Sequence, residues 1–176
     1  MVKVILRDDD LSIYCDPKDL DIFFKASNEF DEIILSMVPF PSKQSKIGIK
    51  INEKIEIPKN NAFIKRAKEL LQRDNVNLSM HGIRHFGYGE FQNQIKSSEI
   101  IKAKKTLEDI FEVKVDTFTP PNNILNKSNF YKIADAGFNR LFSAFSNWPS
   151  ERPLNYYYLN HFFRSSFLAL KGKKAR

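Results

Sequence analysis

A single cysteine, Cys15, rules out an internal disulfide in this 176-residue chain and points to a reducing compartment, the cytoplasm. No run of about 18 apolar residues occurs, so no membrane span is expected. The basic, apolar, small-residue order of an export signal is missing as well, because Met1 leads directly into an apolar run. No repeat or low-complexity linker divides the chain, so one domain over residues 1–176 is expected. Acidic residues are absent beyond Glu151, whereas Arg164, Lys171, Lys173, Lys174 and Arg176 add five positive charges there. The net charge of +7 is therefore largely a property of the tail. It does not describe a phosphate-binding face, and no nucleic-acid partner is expected.

What is present alternates between strand and helix patterns. Val2 to Leu6 reads as a short buried strand. Asp16-Pro17 starts a helix, with Asp as N-cap and Pro at the first position, and places Leu20, Phe23, Phe24 and Ser27 on one face. Ile33 to Val38 is a second strand, stopped by Pro39-Phe40-Pro41, and 47–57 alternates like a hairpin or edge ribbon. Asn60 or Asn61 begins a helix with Phe63, Ile64, Ala67, Leu70 and Leu71 inward, followed by a strand from Val76 to Met80. Ser97 or Ser98 begins the next helix, which carries Ile100, Ile101, Leu107, Ile110 and Phe111. Thr117-Phe118 is a short strand before Pro120-Pro121. Lys127 to Ala136 is a helix ended by Gly137, and Phe138 to Phe145 is another strand. This order predicts an α/β domain with a mostly parallel sheet or barrel. Ligands bind such folds at the carboxyl ends of the strands, so Asp8–Asp10, His81–His85 and Pro120–Asn123 should share one rim.

The chain has three histidines, and two of them stand in His81-Gly82-Ile83-Arg84-His85. Histidines four apart reach one ion from a helical turn. Here the motif follows a strand instead, and Gly82 allows a sharp turn inside it. The acidic run Asp8-Asp9-Asp10 concentrates charges that raise one another's pKa, a repulsion that a bound cation relieves. Two imidazoles and a carboxylate suit a zinc-type ion.

These residues carry a family resemblance. The chain resembles the polysaccharide deacetylases, the carbohydrate esterases that share the NodB homology domain. Their first motif, Thr-Phe-Asp-Asp-Gly before a Thr-Pro-Lys helix start, is similar to Arg7-Asp8-Asp9-Asp10-Leu11 before Asp16-Pro17-Lys18. Their His-(Ser/Thr)-x-x-His is similar to residues 81–85. Their Arg-x-Pro motif is similar to Phe118-Thr119-Pro120-Pro121. The likeness covers residues 1 to about 145, and it is nearest to a divergent branch linked to O-antigen or lipopolysaccharide synthesis.

The resemblance implies an irregular (β/α) barrel, incomplete at the C-terminus in a tail that reads like an interrupted chain. It implies a deacetylase acting on an N- or O-acetylated sugar, with Asp10, His81 and His85 holding Zn2+ and Asp9 as general base. A register shifted by one would use Asp8 and Asp9 instead. His161 is the formal match to the family's general acid, and Asn147-Trp148 is a faint echo of its Asp-Trp motif. The chain also departs from the pattern. Leu11 replaces the glycine after the aspartate pair. Thr119 stands where the family's arginine orients the base, leaving Arg7 or Arg84 as substitutes. Phe86, Tyr88 and Phe91 are candidates for sugar contacts. Tyr156 to Tyr158 form a partly exposed strand that is a lesser candidate for stacking on a sugar. The rival reading is a non-catalytic carbohydrate- or metal-binding relative.

Overall fold

A computed structural model describes residues 4–41, 61–86, 89–143 and 155–158, the last as backbone. Six strands, β1 (Ile5–Leu11), β2 (Glu32–Met37), β3 (Val76–His81), β4 (Thr117–Thr119), β5 (Arg140–Ser143) and β6 (Asn155–Tyr158), form one sheet. Each strand lies parallel to the one before it, in the order of the sequence. Parallel neighbours require a crossover, and four helices supply crossovers between the first five strands: α1 (Asp21–Ala26), α2 (Ala62–Leu71), α3 (Ser97–Phe111) and α4 (Lys127–Asp135).

The helix starts follow local chemistry. Asp16 accepts from the Lys18 amide, and Pro17 opens a 3-10 turn that runs into α1. The Asn61 side chain accepts from the Ile64 amide at 3.0 Å, and Asn126 from the Asn129 amide at 2.8 Å. In each case a side-chain oxygen satisfies an amide that the helix itself leaves unpaired. At the far end of α4, Gly137 takes φ +79°.

The two faces of the sheet differ in chemistry. Ile33, Leu35, Met37, Leu78, Met80, Phe118 and Leu141 point toward the helices and pack with Phe23, Phe63, Leu70, Leu107 and Phe130. Each fully buried side chain of this kind is worth about 1.5–3 kcal/mol. The alternate positions carry polar groups that are nonetheless buried: Arg7, Glu32, Ser36, Ser79, His81, Thr117 and Thr119. Contacts across this polar face show how far the sheet curls. The Arg7 guanidinium on β1 reaches the Phe142 carbonyl on β5 at 3.5 Å. In a flat sheet four strand spacings would separate them by about 19 Å. Arg140 on β5 pairs with Glu32 on β2 at 2.7 Å, and Asn77 donates to the same carboxylate at 2.8 Å. The result is the curled α/β arc expected from the motifs.

Several expectations change. β1 does not stop at Leu6 but continues through all three aspartates to Leu11. Between Asp8 and Leu11 it carries one residue more than β2 carries between Leu35 and Met37, which is a β-bulge. Of the apolar residues that α3 carries, Ile101 is 53% exposed, because a helix buries one stripe and Ile100, Ala103 and Leu107 occupy it. Phe91, a candidate for sugar contact, is fully buried and packs against Phe118 in a tilted pair with ring centroids 5.0 Å apart. Phe86 is exposed. The 47–57 ribbon, Tyr88, Trp148 and His161 lie outside the described residues.

Candidate metal centre

The bulge in β1 turns Asp10 into the left-handed region, φ +67°, a conformation that aspartate tolerates better than most residues. From there Asp10 Oδ1 lies 3.3 Å from His81 Nε2 and 3.1 Å from His85 Nε2. One ligand atom from each of the three residues falls within 4.8 Å of the others. His81 ends β3. His85 follows a turn through Gly82 (φ +67°) and itself takes φ +56°. Both rings are buried, with centroids 5.0 Å apart.

The protonation pattern follows from the partners. His81 Nδ1 lies 3.0 Å from the Thr119 carbonyl. A carbonyl only accepts, so Nδ1 carries a proton and Nε2 is the ring nitrogen turned to Asp10. Burial, then the neighbouring His81, lower the His85 pKa against the pull of Asp10. Both Nε2 atoms thus converge on one Asp10 oxygen, an arrangement that could hold a cation. The buried His85 Nδ1 has no hydrogen-bond partner. The donor set, two imidazoles and a carboxylate with one histidine held by a backbone carbonyl, fits a zinc-type ion.

The other two aspartates occupy different environments. Asp9 Oδ2 receives a 2.7 Å charge-assisted hydrogen bond from Arg7, whose side chain is 1% exposed. Arg84 turns instead to Glu99, 3.7 Å away on the surface. Of the two arginines left open by the sequence, Arg7 is the one that holds Asp9. It reaches the aspartate from two residues upstream on the same strand, because i and i+2 share a face. Thr119, wholly buried, bonds through its hydroxyl to Ser36 at 3.2 Å and Ser79 at 2.8 Å, so its backbone carbonyl is firmly placed under His81. The Asp8 carboxyl is pushed up to about 7 by burial, then by Asp9 and Asp10. It is Asp10, and not Asp8 or Asp9, that meets the two histidines.

Glu90 escaped the reading of the sequence. Its carboxylate accepts from the amides of Ile83 (3.0 Å), Arg84 (2.8 Å) and His85 (3.1 Å). The one available signal was that Glu90 is the only acidic residue between Asp74 and Glu99. The third rim segment also arrives where expected. A Cβ at Gly82 would overlap Pro121 Cγ and stand 2.5 Å from Glu90 Oε2.

No protein-family model matches the sequence, and no curated protein matches it. Solved structures do match. IcaB from Ammonifex degensii superposes with a TM-score of 0.52 at 12% identity, over 89% of this chain and 66% of that one. The BpsB deacetylase domain from Bordetella bronchiseptica gives 0.51 at 13%, over 86% and 67%. A de-N-acetylase from Aggregatibacter actinomycetemcomitans gives 0.50 at 11%, over 79% and 61%. The chain thus spans about two thirds or less of the length of these proteins, and it has the polysaccharide deacetylase fold. No helix among the described residues is long and apolar enough to cross a membrane.

Proposed function

We propose that the chain is a divergent polysaccharide deacetylase, a metal-dependent hydrolase that removes acetyl from an N- or O-acetylated sugar, with residues 1–176 as one catalytic domain. The observation that carries this reading is the convergence of Asp10, His81 and His85 beside an arginine-held Asp9 on a deacetylase fold. The structural neighbours named as deacetylases support the reaction class. Asp10, His81 and His85 would hold the ion, Zn2+ on the chemistry of the donors. With a zinc ion bound there, these residues would gain a centre that polarises a carbonyl and lowers the pKa of a bound water to about 7.

The roles of the chain's own residues follow from their partners. Asp9, aimed by Arg7, accepts the proton of the attacking water at its carboxylate. His81 is held in the ligand tautomer by Thr119. His161 is the candidate for protonating the leaving amine or alkoxide. Phe86, exposed beside the histidine loop, offers an apolar face for a sugar ring. The lone Cys15 supports a cytoplasmic site of action.

The test is Asp9→Asn in the full chain, loaded with zinc and assayed for acetate release from a panel of acetylated sugars. Loss of a proton acceptor predicts a fall of about 10²–10⁴-fold in rate, with zinc content unchanged. Wild-type zinc-loaded protein that releases no acetate from any member of the panel would leave a binding relative, and the enzyme reading would be lost.

A further inference from the structure

The histidine loop has an unusual support. Three successive backbone amides, from Ile83 to His85, converge on one carboxylate, that of Glu90. Consecutive N–H groups of this kind form a concave anion site, and here a side chain of the same protein fills it. The bare face of Gly82 makes room for it, because any Cβ there would stand 2.5 Å from Glu90 Oε2. The clamp is itself anchored. Gly89 (φ +95°) turns the chain into Glu90, and the next residue, Phe91, is fully buried against Phe118. The Phe91 carbonyl accepts from the Asn126 amide at 3.1 Å and from Asn129 Nδ2 at 2.8 Å, at the start of α4. Glu90 is therefore tied to the core while its oxygens hold the loop.

We propose that Glu90 is the positioning residue of the metal centre: by accepting from the amides of residues 83–85 it holds His85 in the left-handed conformation that brings Nε2 to Asp10. This rests on the metal reading of Asp10, His81 and His85. It assigns to an acidic side chain beyond the histidine motif the work of shaping the loop. Without that carboxylate the three amides turn to water and His85 relaxes to ordinary backbone, carrying its ring away from Asp10.

The test compares the full-length wild type with Glu90→Ala, Glu90→Gln and the surface control Glu99→Ala. Two readouts are used: cobalt(II) titration followed by its visible absorption, and amide hydrogen exchange of residues 81–86 in metal-free protein. Glu90→Ala is expected to weaken cobalt binding about 10–100-fold and to accelerate exchange at residues 83–85. Glu90→Gln keeps one accepting oxygen and should fall between, and it decides the matter if Glu90→Ala fails to fold by circular dichroism. Glu99→Ala should match wild type. Wild-type cobalt affinity and unchanged exchange in both Glu90 variants would overturn the proposal. A wild type that takes up no cobalt would overturn the metal reading instead, and the exchange data would then decide alone whether Glu90 sets the loop.

Discussion

Two of the three converging side chains, Asp10 and His85, stand on left-handed backbone, which costs a non-glycine residue on the order of 1–3 kcal/mol. Such strain persists where surrounding contacts over-determine it. Here those contacts are the β1–β2 register for Asp10 and the Glu90 carboxylate for His85. Arg7 presents the complementary case, a buried cation whose worth lies in the carboxylate it aims. Arg7→Met should lower stability by about 1.5–3 kcal/mol through loss of the charged hydrogen bond to Asp9. It should also reduce acetate release about 10–100-fold, as loss of a supporting residue does. Chemical denaturation and the sugar panel read the two effects. Unchanged turnover in a folded Arg7→Met protein would remove Arg7 from the mechanism. The sequence leaves Arg7 and Arg84 equivalent because both lie next to the motifs. The folded backbone separates them, with Arg7 on the strand face of Asp9 and Arg84 in the turn near Glu99.

At the scale of elements, the helix starts at Asp16-Pro17 and Asn61 were legible because a cap acts within three residues of itself. The extent of β1 was not. Three aspartates look like a strand end to any hydropathy reading, yet the strand runs through them because their neighbours on β2 supply its hydrogen bonds and the bulge re-aims one of them. The turn after β3 is held by close approach as well as by backbone conformation. Gly82→Ala meets both a positive φ and the overlap with Pro121 and Glu90, so a loss of about 1–3 kcal/mol is expected, seen as a lower melting temperature together with weaker cobalt binding. An alanine variant with wild-type stability would mean that the three rim segments do not pack as tightly as described.

The whole molecule divides into an apolar layer under the helices and a polar, buried inner face. The inner face brings β1 near β5 through Arg7 and Phe142, and its hydroxyls place the Thr119 carbonyl beneath His81. A ligand that binds only the folded state stabilises it by mass action, by about 2.7 kcal/mol at one hundred times Kd. Saturating zinc should therefore raise the melting temperature by about 5–10 °C. A chelator should reverse the rise, and it should vanish in a protein carrying both Asp10→Ala and His85→Ala. A rise that persists in this double variant would place the zinc elsewhere.

Local chemistry along the chain, in caps, periodicity and ligand types, was enough for the α/β class, the helix starts and two histidines with an aspartate cluster as candidate ligands. The fold was needed for the bulge that picks Asp10 from the three aspartates, the choice of Arg7 over Arg84, the burial of Phe91 and the clamp by Glu90. Each of these depends on which distant backbone or side-chain atoms the curled sheet and its rim loops bring within a few ångströms, and no spacing along the chain encodes that.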